Sequence, residues 1–292
     1  MRDWPPITEP ELLNRLALDD MQFKSVARDF WNAAGPREFG PSAFERALGY
    51  PWHRPAGSYI LRGESVELLD EIDRGKWAST VGDFTKERHP LLSFGGNAAP
   101  NRLAAKFAHF SDEEDRTVLV LAGDLHEFDV GAAASLAPVG CMSATLFASP
   151  GTVVRAAIVW ATLAQVAQLT WTEIPYLLGR LDDAHFAMDE ADVSVDGIFA
   201  YVHRLGSFCI DGSPIALAAV PAAGRTAPEM TQEELLDLAA SLVIGPDARA
   251  EDLVRAIYED MAGVTKRASE SIWTSSQPLE ANWTPYPASG RG

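Results

Sequence analysis

One acidic residue stands at a point where a carboxylate would be withdrawn from water. Glu173 ends the apolar stretch LAQVAQLTWTE and is followed by Ile174 and Pro175. Burial among apolar groups raises the pKa of a carboxyl group toward the range that is useful for proton transfer. Glu173 is therefore a candidate general acid and base. The alternative is an ordinary exposed glutamate at the end of a helix, where a negative charge is slightly unfavourable.

A second candidate is the turn Gly95-Gly96-Asn97, which follows the apolar run LLSF. Consecutive glycines leave backbone N–H groups open to approach, and a helix-like segment, NRLAAKFAHF, begins at Asn101. Such a turn can bind an anion or a developing oxyanion. The alternative is a tight connection between a strand and a helix, without a ligand. The phosphate-loop pattern GxxxxGK[ST] and the dinucleotide pattern GxGxxG are both absent from the sequence.

Both candidates lie within a series of predicted strands and short helices. Runs and alternations of apolar residues predict strands, and apolar residues at helical spacing predict helices. Thr231 and Glu234 form a capping box that begins a helical C-terminal part. The expected strands cover 91–94, 117–130, 141–147, 152–161, 197–204, 207–210 and 214–220, and the expected helices cover 9–21, 21–35, 64–77, 101–110, 163–171, 235–244 and 250–264.

The distribution of predicted helices and strands divides the chain into three parts. Residues 1–88 form a helical and irregular N-terminal extension, residues 89–222 form the core, and residues 223–292 form helices and an extended tail. Strands at uneven spacing with few helices between them are typical of a small twisted sheet or barrel, not of a doubly wound parallel sheet. We therefore expect an α+β protein in which a small mixed β-barrel or sheet carries helical extensions at both ends.

Composition restricts the partners and the location. The chain has 292 residues and a formal net charge of -17, which repels phosphate backbones and anionic membranes. The N-terminus has no basic start followed by an apolar segment, and the apolar stretch 153–169 is interrupted by polar residues. The two cysteines, Cys141 and Cys209, fit a reduced cytoplasm. We expect a cytoplasmic protein with a small-molecule partner, and the composition does not set its oligomeric state.

Two other groups of residues could do chemistry by residue type alone. Cys141 or Cys209 would need a nearby histidine to act as a nucleophile, and His203 is a candidate, but a buried apolar cysteine is the simpler interpretation. The stretch RLDDAHFAMDEAD is acidic, yet its spacing matches no calcium loop, and a run of charges is usually a solvated face. We therefore expect no metal. The candidate ligands in that stretch are Asp182, Asp183, His185, Asp189, Glu190 and Asp192.

The order of these motifs resembles that of the γ-glutamylcyclotransferase-like family over roughly residues 90–220. The turn FGGN with NRLAAKF after it is similar to the family's Tyr-Gly-Ser-Asn strand end and its helix. The segments LHEFDV, ATLFASPG and VVRAAIVWA follow in the family's order, and LTWTEI stands where the family carries its catalytic glutamate. Phe94 replaces the family's usual tyrosine and Gly96 its serine or threonine. The aspartate and the glycine that flank the family's glutamate are missing.

The resemblance implies a specific reaction. The substrate is a γ-glutamyl amide whose own α-amine attacks the γ-carbonyl, which releases an amine and 5-oxoproline. Ring closure within one molecule gains much of its rate from proximity. By resemblance, Glu173 is the acid and base, the loop 94–97 binds the substrate and its oxyanion, and Tyr201 lines the site. The resemblance implies no metal and no organic cofactor.

Two other functions stay open. One is hydrolysis or another rearrangement of an amide in a specialised metabolite, and the other is a non-catalytic protein that keeps the pocket for ligand binding or serves as a scaffold. The changed residues Phe94 and Gly96 favour these alternatives. The presence of Glu173 favours catalysis, because a desolvated carboxylate is costly to keep without a use. The aromatic residues of the first 88 positions predict that this part closes the site instead of forming an independent domain.

Overall fold

The protein is a mixed α and β structure. The computed structural model describes residues 4–9, 11–12, 35–69, 74–189 and 198–286. The helices expected at 9–21 and 21–35 fall almost entirely outside these ranges, as do Glu190 and Asp192. Within the described residues, seven α-helices surround one large mixed sheet, so the expected α+β class is confirmed.

The helices and strands have the following bounds. The helices are α1 Pro41–Leu48, α2 Arg74–Lys86, α3 Pro100–Phe107, α4 Leu163–Thr172, α5 Gln232–Val243, α6 Ala250–Glu259 and α7 Met261–Glu270. The strands are β1 Tyr59–Arg62, β2 Ser65–Leu68, β3 His89–Ser93, β4 Thr117–Leu136, β5 Met142–Ala161, β6 Tyr176–Leu181, β7 Phe186–Met188, β8 Ile198–His203, β9 Ser207–Ile210, β10 Ser213–Pro214, β11 Ala216–Leu217, β12 Ala222–Ala223, β13 Glu229–Met230, β14 Ser276–Gln277 and β15 Trp283–Pro285.

The sheet is built on one long antiparallel hairpin. Strands β4 and β5 contain 20 residues each and pair along most of their length. Over 118–121 in β4 and 156–161 in β5, alternate residues belong to two separate apolar clusters, so both faces of the hairpin are covered at this end. The register shifts beside Glu127, whose φ of 67° is left-handed. The segment Ser149-Pro150-Gly151, which was expected to separate two strands, lies inside β5 opposite this bulge, so the two expected strands are one.

Strand β3 lies in the middle of the sheet. The strand order is β10-β9-β4-β5-β3-β8-β6-β15, and β3 pairs antiparallel with β5 and parallel with β8. Because parallel strands end at the same edge of a sheet, the carboxyl ends of β3 and β8 lie side by side. The residues that follow β3 are thereby brought next to the last residues of β8.

The first part of the chain is joined to this sheet by backbone pairing. The prediction of a helix over 64–77 is wrong for its first half, because β2 forms a hairpin with β1 through Gly63, whose φ is 60°. Strand β1 in turn pairs with β4, from Tyr59 opposite Val120 to Arg62 opposite Thr117. Pairing with a neighbouring strand has overridden a local helical pattern, and the described helix of this region covers Arg74–Lys86.

The C-terminal part begins as expected and ends differently. The capping box is confirmed, since Thr231 accepts a hydrogen bond from the Glu234 N–H and the Glu234 carboxylate accepts one from the Thr231 N–H. The expected extended tail adds two short strands to the sheet, because β14 pairs with β9 and β15 pairs with β6. Beyond β15, the Tyr286 hydroxyl donates a hydrogen bond of 2.7 Å to the carbonyl of Pro5.

None of the helices in the described part of the chain is both long enough and apolar enough to cross a membrane.

The contact between the tail and β9 can be tested with two glycines. Gly206 and Gly212 have φ values of 80° and 77°. A Cβ at Gly206 would overlap the backbone carbonyl of Gln277, whereas a Cβ at Gly212 would have nothing within 4 Å. Gly212→Ala should lower the free energy of unfolding by about 1–2 kcal/mol through φ alone, and Gly206→Ala by a further ~1–3 kcal/mol through overpacking. Urea titration measures both. Equal losses would contradict the packing of the tail described above.

Candidate functional site

A cavity of about 640 Å³ lies at the carboxyl end of β3, between the turn after that strand and the end of α4. Its volume is in the range of small-molecule sites. The turn comes from β3, the end of α4 forms the opposite wall, and β8 contributes a third side. All the residues that the sequence assigned to the site line this one cavity: Phe94, Gly95, Gly96, Asn97, Glu173 and Tyr201.

Helix α4 is fixed at both ends, and this fixes Glu173. At its start, the Thr162 side chain accepts from the Gln165 N–H, and the Gln165 side chain accepts from the Thr162 N–H. At its end, the Glu173 N–H still donates to the Leu169 carbonyl at 3.0 Å, but φ and ψ of -97° and 56° leave the helical region. Pro175 has no N–H and restricts the residue before it, so the helix cannot continue. Glu173 is thereby held directly after the last residue of α4, where it lines the cavity.

Glu173 belongs to a closed triangle with Asn97 and Lys106. Asn97 Nδ2 donates to Glu173 Oε1 at 3.0 Å, and Lys106 Nζ donates to the same oxygen at 3.0 Å. Lys106 Nζ also donates to Asn97 Oδ1 at 2.7 Å. The side chains of Lys106 and Glu173 are 15% and 17% exposed. The apolar surroundings expected for Glu173 are therefore replaced by an ion pair and an amide.

Two aromatic side chains explain the glycines of the turn. Tyr50 and Trp52, from the segment before β1, also line the cavity. A Cβ at Gly95 would lie 2.5 Å from the Tyr50 hydroxyl oxygen, and a Cβ at Gly96 would lie 2.6 Å from Cζ3 of Trp52. Neither glycine has a positive φ. The close approach of these side chains, rather than an unusual backbone angle, requires glycine at both positions.

The turn still presents free N–H groups. The N–H groups of Ala98 and Ala99 donate to the carbonyls of Gly95 and Gly96, each at 3.1 Å, which makes a single 3-10 turn at Gly96–Ala98. The N–H groups of Gly95 and Asn97 donate to no acceptor in the described part of the chain. They are available to a ligand that enters the cavity.

The tyrosine hydroxyls at the cavity are already engaged. The Tyr201 hydroxyl lies 2.8 Å from Oγ1 of Thr170. The Tyr50 hydroxyl accepts from the Ala144 N–H at 2.7 Å, and the Tyr176 hydroxyl donates to the Ala144 carbonyl at 2.8 Å. Burial raises the pKa of all three phenols above the ordinary value. They stay protonated at neutral pH, so none of them can serve as the base.

A buried serine and histidine lie beside the same cavity. Ser135 lines it, and Ser135 Oγ is 2.8 Å from Nε2 of His203. Burial lowers the pKa of His203 to about 3, so its imidazole is neutral at pH 7. Burial also raises the pKa of Cys141 to about 12 and raises that of Cys209. Neither thiol is therefore in the thiolate form that a nucleophile needs.

Sequence reasoning missed several residues that line the cavity. Arg102 and Lys106 are four residues apart on α3 and share its cavity-facing side. That spacing, directly after the glycine turn, was a signal that could have found them. Tyr50, Trp52 and Ser135 come from distant parts of the chain, and no local pattern connects them to the turn.

The acidic stretch shows ordinary pairing. Asp182 accepts a hydrogen bond of 2.7 Å from Nε of Arg180, and Asp189 is paired with Arg155. Across the ranges that the structure describes, no three His, Cys, Asp or Glu side chains come together to hold a metal ion. Asp183 accepts a hydrogen bond of 2.7 Å from Nδ2 of Asn282, so the described acids of this stretch are engaged by arginine and asparagine side chains.

Comparisons of the chain with family models, with curated proteins and with solved structures found no match. The functional assignment below therefore depends on the geometry of the cavity and on the motifs in the sequence.

The packing of Trp52 on Gly96 predicts a specific coupling. Gly96→Ala should lower the free energy of unfolding by about 1–3 kcal/mol, because the new methyl group overlaps the indole ring. Combining it with Trp52→Ala should remove that loss, so the double variant should be as stable as Trp52→Ala alone. Chemical denaturation of the four proteins gives the coupling energy. Additive losses would show that contact with Trp52 is not what requires glycine at position 96.

Burial of His203 predicts a dependence of stability on pH. The imidazole stays neutral down to about pH 3 in the folded protein, but takes up a proton near its ordinary pKa of 6.5 when the chain unfolds. Because the unfolded state binds the extra proton, the free energy of unfolding should fall as the pH decreases from about 6.5 toward 3, by up to about 1.4 kcal/mol per pH unit. His203→Gln should remove this component of the slope.

Urea titrations at several pH values between 4 and 6.5 measure that slope. The matched control is His109→Gln, since His109 is exposed. Its slope should equal that of the wild type. If His203→Gln also keeps the wild-type slope, the histidine is not held neutral by burial.

Proposed function

We propose that the protein cleaves a γ-glutamyl amide by cyclotransfer, with Glu173 as general acid and base. The observation that carries the proposal is the state of the Glu173 carboxylate. Lys106 Nζ and Asn97 Nδ2 both hold Oε1, while Oε2 has no hydrogen-bond partner among the described residues. A carboxylate that is fixed through one oxygen and free at the other is positioned to exchange a proton with a bound amine.

The reaction needs no water and no cofactor. The α-amine nitrogen of the substrate forms a bond to its own γ-carbonyl carbon, and the bond from that carbon to the leaving nitrogen breaks. Glu173 takes the proton that the attacking amine loses and returns one to the leaving amine. The products are 5-oxoproline and a free amine. Holding the substrate in a folded conformation supplies much of the acceleration, since the attack is intramolecular.

The turn after β3 is suited to the oxygen that becomes negative. The N–H groups of Gly95 and Asn97 have no acceptor among the described residues, and both residues line the cavity with Glu173. Donors that are already oriented stabilise a developing oxyanion without reorganisation. The side chains of Lys106 and Asn97 act as positioning groups, because they hold the carboxylate, while the backbone N–H of Asn97 is the group that faces the oxyanion.

The proposal also covers the fold of the core, the role of the first part of the chain, and the location and partners of the protein. The part of the large mixed sheet that residues 89–222 form would be of the γ-glutamylcyclotransferase-like type. The first part of the chain would close the site, since Tyr50 and Trp52 line the cavity. A cytoplasmic location agrees with two free cysteines that are both buried. The acidic charge disfavours nucleic acid as a partner.

Ser135 and His203 favour a second candidate, hydrolysis of the amide through an acyl-serine. Their contact of 2.8 Å is the arrangement of a nucleophile and a base. The low pKa of His203, about 3, weighs against it, since a base with so little affinity for a proton activates a serine poorly. A third candidate is ligand binding without turnover. Incubation with a panel of γ-glutamyl amides separates the three: release of 5-oxoproline supports cyclotransfer, release of glutamate supports hydrolysis, and no release supports binding alone.

The role of Glu173 predicts a selective loss of activity. Glu173→Gln keeps the shape and the hydrogen bond from Lys106 but cannot accept the proton, so the rate of 5-oxoproline release should fall roughly 100-fold or more. Tyr201→Phe should leave kcat within a few-fold, because its hydroxyl is bonded to Thr170. Mass spectrometry of the product and circular dichroism of each variant are the measurements.

Glu270→Gln is the matched control, because Glu270 is an exposed glutamate at the end of α7. It should keep full activity. A folded Glu173→Gln protein with near wild-type turnover would exclude Glu173 as the acid and base. A folded Ser135→Ala protein that loses activity while Glu173→Gln retains it would favour the hydrolase.

A further inference from the structure

Arg102 is a cation in the wall of the cavity, and no residue that the structure describes gives it an anionic partner. Its guanidinium carbon lies 4.5 Å from the centre of the Trp52 ring. Its Nε is buried and lacks a hydrogen-bond partner, and no acceptor or carboxylate among the described residues pairs with the group. A buried donor without a partner is costly, so the group is ready for an acceptor that the chain does not supply.

Three other partly buried arginines of the described chain are paired with carboxylates, whereas Arg54 bonds to the carbonyl of Phe94 and Arg116 has a buried Nε without a partner. Arg225 is bound to Asp129, Arg180 to Asp182, and Arg155 to Asp189. In a chain whose net charge is -17, carboxylates are abundant. Among the described arginines that show no carboxylate partner, Arg102 is the one that lines the cavity with Glu173, which argues that a ligand supplies its anion.

The position of Arg102 relative to the reacting groups restricts the ligand. Arg102 and Lys106 lie one turn apart on the same face of α3, about 6 Å along its axis. Lys106 is already neutralised by Glu173 at 3.0 Å. Arg102 is therefore the cation of this face that remains for a ligand, close to the proposed acid and base.

We propose that Arg102 binds a carboxylate of the substrate. This inference rests on the proposed function, and there it names the group: the α-carboxylate of the γ-glutamyl unit, which is attached to the same carbon as the attacking amine. Guanidinium groups bind carboxylates through two parallel hydrogen bonds, which fixes orientation as well as position. Arg102 then orients the amine toward the γ-carbonyl and excludes substrates in which the carboxylate is an amide.

The test uses the product and its uncharged analogue, which differ at one group and do not react. Calorimetry measures the dissociation constants of 5-oxoproline and 5-oxoprolinamide with the full-length protein. The wild type should bind 5-oxoproline roughly 10- to 100-fold more tightly, the effect of one hydrogen-bonded charge pair. Arg102→Gln should bind both ligands equally weakly. Arg102→Lys should regain part of the preference.

Arg255→Gln is the control variant, since Arg255 also stacks on an aromatic ring, Phe39 at 4.4 Å, but is 47% exposed and does not line the cavity. It should keep the wild-type preference. Equal binding of the two ligands by the wild type, failure to bind either one, or a preference that survives in a folded Arg102→Gln protein would overturn the inference.

Turnover separates this inference from the proposed function. If 5-oxoproline binds through Arg102 but no γ-glutamyl amide is cleaved, the carboxylate site stands and the cyclotransferase proposal fails. If γ-glutamyl amides with an α-carboxylate and with an α-carboxamide are cleaved at equal rates, the proposed function stands and the role of Arg102 fails.

Discussion

The ion pair between Lys106 and Glu173 is the contact on which the geometry of the site depends. It joins α3, which follows the turn after β3, to the end of α4, and both side chains are mostly withdrawn from water. Removing one partner of such a pair leaves the other charge buried without compensation. Asn97 bonds to both partners, so the turn, the helix and the carboxylate are fixed by the same three side chains. Any movement of α3 against α4 would therefore move the proposed acid and base relative to the oxyanion donors.

A second constraint links this site to the start of the chain. Tyr50 and Trp52 reach the turn only because Gly95 and Gly96 have no side chains, and Tyr50 also accepts a hydrogen bond from the Ala144 N–H in β5. The aromatic pair thus packs on the turn and bonds to the long hairpin at once. Trp52 also contacts the Arg102 guanidinium, at 4.5 Å from the ring centre, so the aromatic pair touches the turn, the hairpin and the cation of α3.

The sequence predicted what depends on local pattern. The strands around β3 and β8, the helix that ends at Glu173 and the capping box at Thr231 follow from apolar spacing and from Pro175, and the six candidate residues meet at one cavity. Long-range contacts could not be read in this way. Strand β2 forms because β1 offers it an edge, and the tail gains strands because β6 and β9 do the same. The prediction of apolar surroundings for Glu173 was wrong because Lys106 comes from another helix. Local pattern also could not show that Tyr50 and Trp52 cover the two glycines, since these side chains come from a distant segment.

The central claim is that the substrate's own amine, and not water, breaks the amide bond. The most direct measurement is turnover of a γ-glutamyl amide in water enriched in heavy oxygen, followed by mass spectrometry of the acyl product. Cyclotransfer predicts 5-oxoproline that carries no label, since no water oxygen enters the ring. Glutamate that carries one heavy oxygen would show that water attacked the carbonyl or an acyl-enzyme, and it would contradict the account.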